Sequence, residues 1–167
     1  MPDVVGGIAT GRRNVAHLKE SLFINAPVSQ IDAIVRDPRQ WSNFWVGMSE
    51  PDRVDGDGGP GTKVEFDLHM LGVRLHETEE TIEEKHNPDG STDWRWRFDG
   101  TTSGHLACHH EPDKGGTTIT TEFEYTLPGK VLGKVADRFV IEKMQSRDFR
   151  HSLENLKLLA ENSVISH

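Results

Sequence analysis

Hydrophobic and polar positions change period along this chain of 167 residues, and each change marks an element. From Ala16, the residues Leu18, Ser21, Phe23 and Asn25 read as an extended strand leading to Pro27, a residue that can stop a strand and open a helix. Val28, Ile31, Ala33, Ile34 and Val35 follow at helical spacing, and Pro38 ends that helix or begins a second short one through Trp41 and Phe44. From Arg53 to Tyr125 the period becomes two, with turns at Asp55–Gly61, Asn87–Gly90, Asp99–Thr102 and Asp113–Gly116; a meander of about six strands is implied. Val64, Phe66, Leu68 and Met70 alternate with Glu65, Asp67 and His69, and Trp94, Trp96 and Phe98 with Arg95, Arg97 and Asp99. Ile119, Thr121, Phe123 and Tyr125 share one face of the last strand, opposite Thr120, Glu122 and Glu124, before Pro128 and Gly129 break the chain. From Lys130 to Ala160, Leu132, Val135, Phe139, Phe149, Leu153, Leu156 and Ala160 form one helical stripe, with Lys157 expected on the opposite, wet face.

The order is strand, two short helices, about six strands, long helix. An antiparallel sheet with one apolar face must bury it, and the only large apolar surface left is the terminal helix stripe. The expected fold class is therefore α+β: a curved antiparallel sheet of about seven strands wrapped round a long C-terminal helix. Residues 1–14, with Gly6, Gly7, Gly11, Arg12 and Arg13, show no sustained period and read as a flexible leader; residues 15–162 form the domain and 163–167 a tail.

Charge and cysteine content narrow the function. With 19 basic against 27 acidic residues, the net charge of -8 repels phosphate backbones and anionic lipid surfaces, so nucleic acid is not an expected partner. No apolar run approaches the ~20 residues of a membrane helix, so no stable membrane insertion is expected, and with no signal-peptide pattern in Met1–Thr10 the default expectation is a cytoplasmic protein. Cys108 is the only cysteine, which excludes an internal disulfide and a thiolate cluster.

The order of elements and several strings resemble the START-like, helix-grip superfamily (SRPBCC), which includes polyketide cyclases/dehydrases, lipid carriers, coenzyme Q-binding proteins and plant abscisic-acid receptors. The strings are Ile24-Asn25-Ala26-Pro27-Val28, Asp37-Pro38-Arg39-Gln40-Trp41 and Ser152-Leu153-Glu154-Asn155-Leu156-Lys157, and the resemblance spans roughly Ala16 to Glu161. It implies a cavity between sheet and helix that holds a small hydrophobic ligand: lipid, quinone, sterol or polyketide-like.

Between Phe139 and Phe149 the helix stripe turns polar, with Glu142 and Ser146 at its centre and Arg138 and Gln145 on its flank. One reading makes these the orienting groups of a pocket. The other shifts the helix phase, so that Val140, Ile141 and Met144 supply the core and Glu142 faces water. The expected ligand-binding set is Phe66, Leu68, Met70, Trp94, Trp96, Phe98, Thr121, Phe123, Tyr125, Arg138, Glu142, Gln145 and Ser146, with Tyr125 needing a hydroxyl partner if buried. The run Glu77, Glu79, Glu80, Glu83 and Glu84 reads as a solvated strand, although Glu77 and Glu79 share a face and cannot both point outward with Glu80, so one face is inner or a bulge intervenes.

Other motifs yield less. Gly56–Lys63 looks like a phosphate loop, but Thr-Lys and a strand follow the last glycine, and a flexible hairpin loop is the plainer account; it resembles the glycine-rich loop of plant pathogenesis-related proteins. His105 and His109 alternate to one face and His110 to the other, His69, His76 and His86 are scattered, and no metal site or cofactor is expected. No Gly-x-Ser-x-Gly string occurs and Cys108 has no identifiable base, so no catalytic residue is assigned. The leading expectation is a carrier or sequestering protein for a small hydrophobic ligand. The alternative is a polyketide aromatase/cyclase, against which the stretch Glu77-Thr78-Glu79-Glu80 offers carboxylates where some cyclases carry serine and arginine. A further alternative is a ligand-gated partner-binding module whose exposed surface would be Val140, Ile141 and Met144.

Overall fold

A computed structural model of the chain describes residues 15–127, 129, 133 and 138–165. Strand β1 (Val15–Ile24) leads into helix α1 (Val28–Arg36) and a 3₁₀ turn (Pro38–Asn43); strands β2 (Arg53–Asp55), β3 (Lys63–Met70), β4 (Val73–His86), β5 (Thr92–Gly100), β6 (Ser103–Asp113) and β7 (Gly116–Thr126) follow, then helix α2 (Arg138–Ile165). The sheet has seven antiparallel strands in the order β1-β7-β6-β5-β4-β3-β2, so the meander runs in sequence and β1 closes it against β7. This is the expected helix-grip α+β architecture.

Each of the four turns read from sequence lies between strands. A fifth, Leu71-Gly72, joins β3 to β4 with φ values of 51° and 76°. The glycine-rich segment is packed rather than free-standing: the Gly58 N–H donates to Thr62 Oγ1 at 2.9 Å, and a side chain at Gly58 would collide with the Arg36 carbonyl. Arg36, at the end of α1, reaches both Asp57 in this loop and Glu84 on β4.

Alternation sends Val64, Phe66, Met70, Leu75, Trp94, Trp96, Phe98, Ile119 and Tyr125 into the core. In β4 it is broken once, where Thr81 opposes Trp96 and Glu83 opposes Arg95, leaving Ile82 as the extra residue of a bulge. Before the bulge Glu77, Glu79 and Thr81 point inward, which corrects the solvated-strand reading for these two glutamates. The inner face and the bulge therefore both occur.

Helix α2 packs through Ile141, Phe149, Leu153, Leu156 and Ala160. Phe139 does not join them: it is 71% exposed while Ile141 is 0% exposed. Residues two apart stand about 200° apart round a helix, so once Ile141 faces the sheet Phe139 must face away. Val140 is exposed and Met144 half-buried, so of the three residues of the phase-shift reading only Ile141 is fully buried, and no exposed Val140-Ile141-Met144 patch exists. Leu132 and Val135 lie outside the described residues. Leu153→Ala should cost about 2–5 kcal/mol in urea unfolding as a buried large-to-small change; a loss within the ~0.5 kcal/mol scatter of surface changes would contradict its anchoring role.

Lys157 is not on a wet face. Its ammonium donates to the Phe23 carbonyl on β1 at 3.1 Å and pairs with Glu161, which accepts the Asn25 N–H at 2.9 Å. The last turns of α2 are thus fastened to the end of β1.

Candidate ligand-binding site

Between the concave face and α2 lies a cavity of about 90 Å³. Strand alternation supplies its wall: Phe66, Leu68 and Met70 from β3, Glu77 and Glu79 from β4, Phe98 from β5, Leu106 from β6, Phe123 from β7 and Leu18 from β1. The segment after the 3₁₀ turn contributes Trp45, Val46 and Met48, and α2 contributes Gln145, Asp148, Phe149 and Ser152. Trp45 stacks on Phe149 at 6.0 Å, and Phe149 on Phe123 at 6.0 Å, so a continuous aromatic wall runs from that segment across the helix to the sheet. Ser152 ties the segment down. Its hydroxyl accepts the Val46 N–H at 2.9 Å and donates to the Asp148 carbonyl at 2.9 Å, while Asn155 Nδ2 donates to the Phe44 carbonyl at 3.2 Å.

A second, smaller void of about 20 Å³ lies beside the first, bounded by Trp41, Trp96, Cys108, His110 and Thr121, and Glu79, Leu106 and Trp45 border both. Desolvation, reinforced by the charge of Glu77, pushes the Glu79 carboxyl up to about 8, so it keeps its proton at neutral pH. Burial also raises Glu77, against the pull of the Thr102 N–H, which donates to its two oxygens at 2.9 and 3.2 Å. Desolvation pushes the Cys108 thiol up to about 12, which removes it as a nucleophile at neutral pH.

A separate buried polar cluster pins α1 to the sheet. The Asp32 carboxylate accepts from His110 Nδ1 at 2.8 Å, Thr92 Oγ1 at 2.8 Å and Trp94 Nε1 at 3.0 Å. Burial alone would raise Asp32, but the hydrogen bond and charge of His110, with the hydrogen bonds of Trp94 and Thr92, hold it below the usual carboxylate value. On the opposite face of the sheet, ligand-type atoms of Asp52, Asp67 and His76 lie within 4.8 Å of one another. The Asp67 carboxylate there already accepts from Arg74 Nε at 2.6 Å and faces His76 Nδ1 at 3.1 Å.

Residues 15–161 match the family described as polyketide cyclase/dehydrase and lipid transport. The chain belongs to that family. Solved structures share the fold at low identity. The protein TTHA0849 from Thermus thermophilus aligns with a TM-score of 0.70 and 15% identity over 88% of this chain and 98% of its own. A conserved protein from Geobacillus kaustophilus gives 0.64 and 13% over 88% and 96%. Truncated norcoclaurine synthase from Thalictrum flavum gives 0.57 and 16% over 92% and 95%. No curated protein matches the sequence. No helix among the described residues is long and apolar enough to cross a membrane.

The residues singled out by sequence separate into groups. Phe66, Leu68, Met70, Phe98, Phe123 and Gln145 line the larger cavity, and Trp96 and Thr121 the smaller. Trp94 is buried, stacked on Trp96 at 5.4 Å and committed to Asp32. Tyr125 is buried behind Phe123, and its hydroxyl donates to Gln145 Oε1 at 3.2 Å, so its partner is protein. Glu142 is half-buried and its charge adds to the burial that raises the Tyr125 phenol; it borders neither void. Ser146 is exposed, a correction that follows from the helix phase. The Arg138 side chain lies outside the described residues. Sequence reasoning missed Trp45, Val46, Met48, Asp148 and Ser152, and left Glu77 and Glu79 unassigned although their shared face was legible.

Proposed function

We propose that this protein binds a small hydrophobic ligand in the cavity between the sheet and α2 and acts as its carrier. The observation that supports this is the aromatic wall, Trp45 on Phe149 on Phe123, which lines the cavity together with Phe66, Leu68 and Met70 of β3. A volume of about 90 Å³ is tight even for a single ring, so a ring with a short chain requires the Trp45–Met48 segment to move outward, and a sterol requires it to move further.

Ligand entry should change the emission of Trp45, which borders the cavity, and raise the melting temperature. At ~100 times its dissociation constant a ligand adds ~2.7 kcal/mol of stability. A panel of small aromatic and aliphatic probes that alters neither emission nor melting would refute the binding site.

A second reading, cyclase or dehydrase chemistry, is favoured by one feature: Glu79 holds a proton near neutrality at the cavity wall, as a general acid must. Conversion of a poly-β-ketone mimic by the parent, lowered ~10²–10⁴-fold by Glu79→Gln while binding persists, would establish it over the carrier.

A further inference from the structure

Two carboxyl side chains occupy concave-face positions that alternation elsewhere fills with Phe66, Trp96 and Phe98. Glu79 is 5% exposed, lies between Val64 and Phe98 on the neighbouring strands, and has no hydrogen-bond partner among the described residues. Among the described residues the fully enclosed polar atoms of this face without a partner are Thr81 Oγ1 and Trp96 Nε1, whereas Glu79 borders both voids, so a partner for its carboxyl would sit on the cavity side. Glu77, 2% exposed, is held beside it by the Thr102 N–H, and the absence of a side chain at Gly100 makes room for it: a Cβ there would sit 2.8 Å from Glu77 Oε2. Positions i and i+2 on one strand face stand roughly 7 Å apart, a gap that a single small cation can bridge between two carboxylates.

The ionisable groups among the described residues that border the cavity are three acids and His69. Glu77, Glu79 and Asp148 border it, and no lysine or arginine does among the described residues. Phe98, Phe123 and Phe149 line the same cavity, and a desolvated cation over an aromatic face is attracted to it.

We propose that the ligand is a hydrophobic amine whose ammonium group sits between Glu79 and Glu77 while its apolar part packs on Phe98, Phe123 and Phe149; this rests on the cavity being the ligand site. A carboxylate ligand would meet acids with no lysine or arginine beside them, and a neutral one would gain nothing from the ionised form of Glu79.

The proposal carries a pH signature. The groups that face Glu79 are Glu77 on its own strand, Cys108 and His110 on β6 across the smaller void, and His69 on β3 and Asp148 on α2 across the larger. β5 and β7 present only Trp96, Phe98, Thr121 and Phe123. Glu79, pushed up to about 8 in the free protein, must release its proton to meet an ammonium. Affinity for the amine therefore climbs as pH rises to about 8 and levels off until the amine itself loses its proton near pH ~10.

Three probes of matched size test this by calorimetry on the full chain: 2-phenylethylamine, 2-phenylethanol and 3-phenylpropanoate. At about pH 8.5 the amine should bind at least about tenfold tighter than the alcohol, and the carboxylate weakest. Towards pH ~6.5 the amine should weaken by up to about tenfold per unit, with heat that depends on the buffer because a proton is released, while the alcohol stays constant. Glu79→Gln should erase the amine's advantage and its pH dependence, and Glu77→Gln should reduce the advantage, both leaving alcohol affinity within about threefold. Alcohol or carboxylate binding as tightly as amine to the parent, or an amine-to-alcohol ratio unchanged in Glu79→Gln, overturns the amine while the ligand site stands. If no probe binds the parent, the site falls and the amine with it.

Discussion

Glu79→Gln should stabilise the protein by roughly 3–5 kcal/mol at about pH 9 and change it little at about pH 5. The sign follows from where the proton sits. In the unfolded chain the carboxyl ionises at its ordinary value of 4.5, whereas in the fold it holds its proton up to about 8. Across that window the unfolded state alone gains the free energy of ionisation, so the parent's stability falls as pH rises and stays low above it. Glu77, also raised by burial, adds to the same decline. Glutamine cannot ionise, so the variant's profile loses the Glu79 share. Urea unfolding at several pH values reads the difference directly; parallel profiles for parent and variant would mean that Glu79 is solvated and the account of the cavity wrong.

Asp32→Ala should cost about 3–5 kcal/mol, because it leaves Thr92 Oγ1, Trp94 Nε1 and His110 Nδ1 buried with their shared acceptor removed. Asp32→Asn, which keeps one carbonyl oxygen in place, should cost less. The pH dependence is opposite to that of Glu79. Asp32 is held below its ordinary value of 3.8 in the fold, so its contribution is fully present above that value and disappears as pH falls through the lowered one. The alanine variant should lack this acid-limb loss. A cost below about 1 kcal/mol would show that the three donors find other partners.

These two acids also show what the residue pattern can and cannot convey. Strands were legible because Val64, Phe66 and Met70, or Trp94, Trp96 and Phe98, alternate without interruption between turns rich in Gly, Asp and Asn. Glu77 and Glu79 broke that alternation by chemistry and not by period: the strand was readable, and so was the conflict, but charge alone argued for the wet side. The bulge at Ile82 resolved the conflict without moving either residue outward.

The helix stripe failed at one end for a different reason. Spacings of three and four accumulate a phase error, and ten residues separate Phe139 from Phe149, so only the sheet could decide which of Phe139 and Ile141 turns inward. Trp45, Val46 and Met48 were not legible at all, since an irregular segment has no period. Their position depends on Ser152 and Asn155, more than a hundred residues away along the chain.

The attachment of Lys157 and Glu161 to the end of β1 bears on the exposed rims of the sheet. An open antiparallel sheet ends in two rims of unpaired backbone groups, onto which a strand from another chain can add. One rim here is β2, three residues long and carrying Arg53 and Asp55 side by side in opposite charge. The other is β1, whose Phe23 carbonyl, with the Asn25 N–H just beyond it, is already occupied by side chains of α2. The helix whose middle lines the cavity therefore also covers, with its last turns, the end of this rim, so a strand adding there would have to displace Lys157 and Glu161.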